Sequence, residues 1–212
     1  MTHPFDQSYW DDRYAAAGMV WSGAVNPVLI SETSALPAGS ALDIGCGEGA
    51  DAIWLAARGW QVTAVDFSGV ALERAAARSR QAGADPGASA RLADRIRWEQ
   101  HDFTEWTPPT KTFDLVSSQF MHLPASQRSI LFRALAAAVK PGGTLLVVGH
   151  DISHAHGHAP PADLFFTAAD VAADLDPTRW LVDVAEPRAR AVRGADGAVS
   201  TTVDAVLSAR RR

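Results

Sequence analysis

The stretch "ALDIGCGEGADAIW", residues 41–54, decides the fold. A short apolar run ends in three glycines at alternate positions, Gly45, Gly47 and Gly49, and a helical pattern starts directly behind them. Glycine lets the backbone turn left-handed and approach a ligand closely, and the amides that open the helix point at whatever lies beyond the strand end. That layout holds a nucleotide. The spacing fits GxGxG and, through Ala50, GxGxxG/A as well, so two cofactor classes stay open at this point.

Working outward, β-rich runs alternate with helical ones, which predicts a parallel sheet covered on both faces. The strands are expected at 40–46, 60–66, 95–103, 113–120 and 144–150. Helices are expected through "ADAIWLAARG", from Ser68 as N-cap, and through "ASQRSILFRALAAAVKPGG", stopped by Pro141-Gly142-Gly143. The rhythm then changes. Thr167 and Asp170 form a capping box with Asp in place of Glu, and "RWLVDVAEP" and "STTVDAVLSARR" read as an antiparallel hairpin across "GADG". The terminal arginines 210–212 read as a frayed, solvated end.

The chain has 212 residues, 47% of them hydrophobic, enough for one sizeable core and one domain. A net charge of -5 without a dense basic run gives no footprint for nucleic acid. No apolar run has the roughly 20 residues of a membrane span, and the start has no basic region leading into an apolar one. Cys46 is the single cysteine and cannot form an internal disulfide, which suits a reducing compartment. These features predict a cytoplasmic protein, monomer or homodimer, without nucleic-acid or membrane partners.

Charge chooses between the cofactors. Asp66 closes the second strand 21 residues after Gly45, where an acid accepts hydrogen bonds from ribose hydroxyls. Asp43, Glu48 and Asp51 surround the place where a pyrophosphate would sit and would repel it. They suit a nucleoside that carries an ammonium and a sulfonium, S-adenosylmethionine. Glu48 and Asp51 also have a plain reading as complements of the helix dipole.

The run "ALDIGCGEGADAIWLAARGWQVTAVDFS" resembles the first two motifs of class I S-adenosylmethionine-dependent methyltransferases, "HDF" resembles their adenine-contact motif, and "FDLVSSQFMHLP" resembles their strand-four motif. Order and spacing match from about residue 38 to 150. The resemblance implies a doubly wound, Rossmann-like α/β sheet of seven strands with the last antiparallel and helices on both faces. It implies that Asp43, Gly45 and Gly47 line the methionine end, Asp66 holds the ribose and Phe67 packs on adenine. Asp102 would accept from the adenine amino group with Phe103 beside it, and Gln119 would touch cofactor or acceptor. Cys46 matches a common family position as a small packing residue.

The segment "YWDDRYAAAGMVWSGAVNPVL" places Trp10, Tyr14 and Trp21 ahead of the sheet. It is similar to the N-terminal lid of thiopurine and tellurite-resistance methyltransferase relatives, where an aromatic helix closes over the cofactor. The three aromatics are therefore cofactor-side candidates, and the lid resemblance points to a soft sulfur or chalcogen acceptor. The same aromatics read equally as a hydrophobic cover for the core.

The expected organisation is a single domain over 1–212, with a lid segment 1–37, a cofactor core 38–150 and an acceptor-side helix and hairpin 151–212. The expected reaction is methyl transfer to a small-molecule acceptor. A hydroxyl or amine acceptor needs a base, and His122 and His150 lie over the carboxyl ends of strands four and five as candidates. "HDISHAHGHAPP" clusters histidines but lacks a second anchored ligand set, so no metal site is expected. Two rivals stay open: an NAD-dependent oxidoreductase, which the antiparallel hairpin opposes, and a non-catalytic S-adenosylmethionine-binding protein.

Overall fold

The computed structural model describes residues 7–16, 18–84, 91–103, 105–121, 123–154, 162–193 and 199–212. Two helices, α1 (Gln7–Ala16) and α2 (Pro27–Thr33), precede the sheet. Then come β1 (Ser40–Ile44), α3 (Ala50–Ala57), β2 (Gln61–Asp66), α4 (Gly69–Ala84), β3 (Ile96–Gln100) and β4 (Phe113–Gln119). The chain ends with α5 (Ala125–Ala138), β5 (Val139–His150), α6 (Ala168–Ala173), β6 (Trp180–Arg193) and β7 (Val199–Arg211).

Seven strands form one sheet in the order β3-β2-β1-β4-β5-β7-β6. The first five are parallel, and β7 runs antiparallel between β5 and β6. The strand order reverses beside β1, which opens a crevice over the carboxyl ends of β1 and β4. The doubly wound sheet read from the sequence is the observed one.

Side-chain alternation splits the core in two. Leu42, Ile44, Val65, Val116, Leu145, Val147 and Leu207 face α5 and α6. Ala41, Val62, Ala64, Leu115, Leu146, Val148 and Val206 face α2 and α3. Both faces are buried, which is why the central strands read as continuous apolar runs.

Local signals explain the helix ends. Ser68 Oγ accepts from the Ala71 amide at 3.2 Å as the N-cap of α4, and Thr167 and Asp170 close the capping box of α6. The expected start of the fifth strand needs correction. β5 begins at Val139, before Pro141 rather than after Gly143, and pairs there with Phe113. A register shift between Phe113 and Leu115 absorbs the proline and glycines.

The arginine tail is also not a frayed end. Arg210 pairs with Asp183 at 2.7 Å, and Arg211, 7% exposed, donates to the carbonyls of Ala136, Ala137 and Val139. Those carbonyls lie where α5 runs into β5, and the guanidinium adds a donor to Ala136 and Ala137, which also accept from the Val139 and Lys111 amides. No helix among the described residues is long and apolar enough to cross a membrane.

Candidate functional site

The glycine turn is tied to β2, because the Gly45 and Cys46 amides both donate to the Val65 carbonyl, at 2.8 and 3.1 Å. Gly47 and Gly49 sit at φ 50° and 79°, in the left-handed region that favours glycine. Steric need adds to this at both. A Cβ at Gly49 would lie 2.6 Å from the Trp98 ring and 2.8 Å from Ala75, and one at Gly47 would lie 2.9 Å from the Tyr14 hydroxyl.

Three carboxyls gather beneath this turn. Asp66 Oδ2 accepts from the Gly47 amide at 2.8 Å and Oδ1 from the Ser68 amide at 3.0 Å. Burial raises its pKa, and the amide bonds oppose the rise without cancelling it. Asp51 Oδ1 accepts from the Asn26 amide at 2.8 Å, and burial pushes its carboxyl up to about 6. Asp43 is 2% exposed, and among the described residues its Oδ2 has no hydrogen-bond partner. Burial, then the charges of Asp51 and Asp66, push Asp43 well above the usual carboxylate range. A buried carboxylate oxygen without a partner is relieved by a bound cation. The residues thus fit a positively charged ligand group and are a poor seat for a pyrophosphate.

Glu48 does not belong to that acid set as expected. Its carboxylate accepts from the Val20 and Trp21 amides, both at 3.2 Å, and pairs with Arg74 at 3.3 Å. Arg78 adds bonds to the Glu48 carbonyl at 2.8 Å and the Gly23 carbonyl at 3.2 Å. Glu48 is 4% exposed, and its oxygens are consumed by the backbone of the segment between α1 and α2. It anchors the lid.

The aromatics expected to form a lid come together. Trp21 Nε1 donates to the Tyr14 hydroxyl at 2.8 Å, and the Trp10 ring lies 6.1 Å from both Tyr14 and Trp21. Tyr14 is buried, and burial followed by the charge of Asp66 raises its phenol, which stays neutral. Ser68 Oγ donates to Asp11 at 2.5 Å, fixing α1 on the loop after β2. Cys46 is a packing residue whose thiol burial holds well above its ordinary range.

On the β3 side, Phe67 and Phe103 pack on each other with centroids 4.4 Å apart, and both rings are buried. The Asp102 carbonyl accepts from the Glu105 and Trp106 amides at 3.1 and 2.7 Å, in an exposed turn beside them. Adenine-side candidates from β2 and β3 therefore share one corner.

On the other side, Gln119 Oε1 accepts from Asn26 Nδ2 at 2.7 Å, and Gln119 Nε2 donates to Ser117 Oγ at 2.9 Å. Asn26 Oδ1 also caps α2 through the Val28 amide at 2.9 Å. His150 stands at the end of β5, its ring 4.8 Å from Phe120 and 6.0 Å from Phe165. Its Nδ1 lies 3.8 Å from Asp204 on β7, and Arg190 on β6 grips Asp204 through Nε at 2.5 Å and Nη2 at 3.0 Å. Burial raises the Asp204 carboxyl, but His150 and Arg190 outweigh it and hold the carboxyl below its ordinary value. His122 and residues 155–161 of the histidine-rich loop lie outside the described residues.

Sequence reasoning missed Asn26, Phe120, Arg190 and Asp204. Asn26 before Pro27 is an N-cap signal that marks the end of the lid. Asp204 alternates with Thr202 and Val206, so a charge on an inward face was readable. Phe120 at φ 54° had no signal, since nothing local asks for a left-handed aromatic there.

A family model for the methyltransferase domain matches residues 41–143. The probable thiol methyltransferase 2 of Arabidopsis thaliana is 29% identical over 71% of this chain and 65% of its own length. The chain thus spans less than two thirds of that relative. Among solved structures, TehB from Haemophilus influenzae aligns with a TM-score of 0.71 at 15% identity, over 97% of this chain and 67% of that one. A structure solved for the conversion of a disulfide bond into a thioacetal group during echinomycin biosynthesis aligns at 0.74 with 20% identity, over 97% and 92%. Both likenesses speak for the fold. The matched methyltransferase domain thus lies over the glycine turn, the buried carboxyls beneath it and the parallel part of the 3-2-1-4-5-7-6 sheet, and what this chain is similar to is the S-adenosylmethionine-dependent methyltransferases.

Proposed function

We propose that this chain transfers a methyl group from S-adenosylmethionine to a small-molecule thiol. The observation that carries the cofactor side is the Asp43 Oδ2 atom, buried beside two further carboxyls under the glycine turn and without a hydrogen-bond partner among the described residues. When bound, S-adenosylmethionine supplies a methyl group activated on a sulfonium. The chain's own work is to bind, orient and exclude water. Asp43, Gly45 and Gly47 would hold the methionine end, and Asp66 would offer its remaining lone pairs to the ribose. Phe67, Asp102 and Phe103 would take the adenine, while Trp10, Tyr14 and Trp21 close the lid from above.

The acceptor side is the rim formed by Gln119, Phe120, His150 and Phe165. Among the described residues it is aromatic with one imidazole, which suits a small acceptor. The name of the Arabidopsis relative, a thiol methyltransferase, supports sulfur as the acceptor atom. The aromatic N-terminal segment over the glycine turn suits a reaction that needs desolvation more than added chemistry. The location is proposed to be cytoplasmic, as the lone cysteine and the composition suit.

S-adenosylhomocysteine production across a panel of thiols, phenols and amines tests this reading. Turnover is expected with thiols. Turnover confined to phenols or amines overturns the acceptor, and binding of NAD but not of S-adenosylmethionine in calorimetry overturns the cofactor.

A further inference from the structure

A cavity of about 210 Å³ opens away from the glycine turn, toward the amino ends of the parallel strands, where α5 runs into β5 and β6 starts beside the end of β7. Its walls are Phe132 of α5, Leu145 of β5, Val171 of α6, Leu175 just after it, and Trp180 of β6. All but Leu175 are buried, so the walls continue the core that lies between the sheet and α5 and α6.

The rim is charged. Three arginines, Arg133, Arg179 and Arg211, stand with two aspartates, Asp174 and Asp176, which leaves one positive charge in excess. Both aspartates have partners. Asp174 pairs with Arg133 at 3.9 Å, and Asp176 accepts from the Thr178 amide and hydroxyl at 2.9 and 2.7 Å, near enough to Arg179 to feel its charge. Among the described residues Arg179 and Arg211 form no ion pair. Arg211 is held firmly, because its Nη1 donates to the carbonyls of Ala136, Ala137 and Val139, and it is the register partner of Trp180 across β6 and β7. Burial, then the charge of Arg179, pull its guanidinium below the ordinary value. Two cations that repel each other at the mouth of an apolar cavity are relieved by one shared anion.

We infer that this cavity is a second small-molecule site, separate from the methyl-transfer pocket, for a monocarboxylate with an apolar, ring-sized body. The carboxylate bridges Arg179 and Arg211, and the body replaces water against Trp180, Leu145 and Phe132. One excess positive charge suits a monoanion better than a phosphate, whose second charge would meet a rim that also holds Asp174 and Asp176. The volume lies below the roughly 300 Å³ at which drug-sized ligands begin, which suits a single ring with a short side chain.

The test titrates phenylacetate into the full chain without cofactor and follows the backbone amide and tryptophan indole signals by NMR. Phenethyl alcohol, acetate and inorganic phosphate serve as comparisons. Phenylacetate is expected to shift the Trp180 indole and the Leu175 and Arg211 amides saturably, and the other three are expected to leave them in place. Arg179 is exposed, so Arg179→Gln keeps the Arg211 bonds to the end of α5, and it should weaken phenylacetate about tenfold. Equal binding of the alcohol, equal binding of phosphate, or unchanged affinity in Arg179→Gln overturns the inference. So does the absence of a saturable shift at Trp180, or a shift confined to the signals of Phe120, His150 and the glycine turn. No turnover is needed, so the outcome stands apart from the acceptor panel.

Discussion

S-adenosylmethionine affinity should rise with pH because of the carboxyls under the glycine turn. Burial raises Asp51 to about 6, against an ordinary 3.8, so the folded chain binds a proton there that the unfolded chain has released. The consequence for stability has a definite sign. Between the two values the folded state holds more protons than the unfolded one, so stability falls as pH rises from about 4 to 6, by at most about 3 kcal/mol for two units. A cation bound beside Asp51 and Asp43 favours their ionised forms and releases those protons. Binding is then tighter at higher pH, by up to tenfold per unit until Asp51 is fully ionised. Asp43, raised by burial and by its two neighbours, extends the slope upward. Between pH 5 and 7 the account predicts about a tenfold gain in affinity. Calorimetry in two buffers of different ionisation enthalpy reads both the affinity and the protons released. Asp51→Asn keeps an acceptor for the Asn26 amide and should flatten the slope. An affinity that is constant or rises toward acid, with no proton release, refutes the reasoning.

Other consequences follow from single residues. Glu48→Gln removes the charge from the bonds to the Val20 and Trp21 amides and the pair with Arg74, and should loosen the lid by about 1–3 kcal/mol. Hydrogen exchange at the Val20 and Trp21 amides should speed up accordingly, and unchanged exchange would contradict the anchor. Gly49→Ala places a Cβ 2.6 Å from Trp98 at φ 79° and should cost about 2–4 kcal/mol, read as a lowered Tm. Arg211→Ala removes a charged donor shared by the carbonyls of Ala136, Ala137 and Val139, where α5 meets β5, and should cost about 1–3 kcal/mol in urea titration. A neutral result would return the tail to solvent.

The sheet was legible in the sequence because β1, β2 and β4 are short, β-rich runs separated by turns and helical patterns, and because the hairpin and the capping box of α6 are local signals. The cofactor turn was legible for the same reason, as its glycines, Asp43 and Asp66 lie within one strand-turn-helix-strand unit. What escaped was long-range. Glu48 looked like a ligand-facing charge, and only the return of residues 20–21 over the turn shows that backbone amides claim it. Arg211 looked solvated because nothing near it in sequence needs a donor, while the carbonyls it caps lie more than 70 positions away. The Arg190–Asp204–His150 corner joins three strands, and no spacing within one segment encodes it.

The central claim is that a methyl group leaves S-adenosylmethionine for sulfur on this protein. The most direct measurement supplies the cofactor with a ¹³C-labelled methyl group together with a small thiol, and follows the label by mass spectrometry and NMR. The account predicts a labelled S-methyl product and S-adenosylhomocysteine in equal amounts. Label that stays in the cofactor across the thiol panel, or that emerges on oxygen or nitrogen when those acceptors compete, contradicts it.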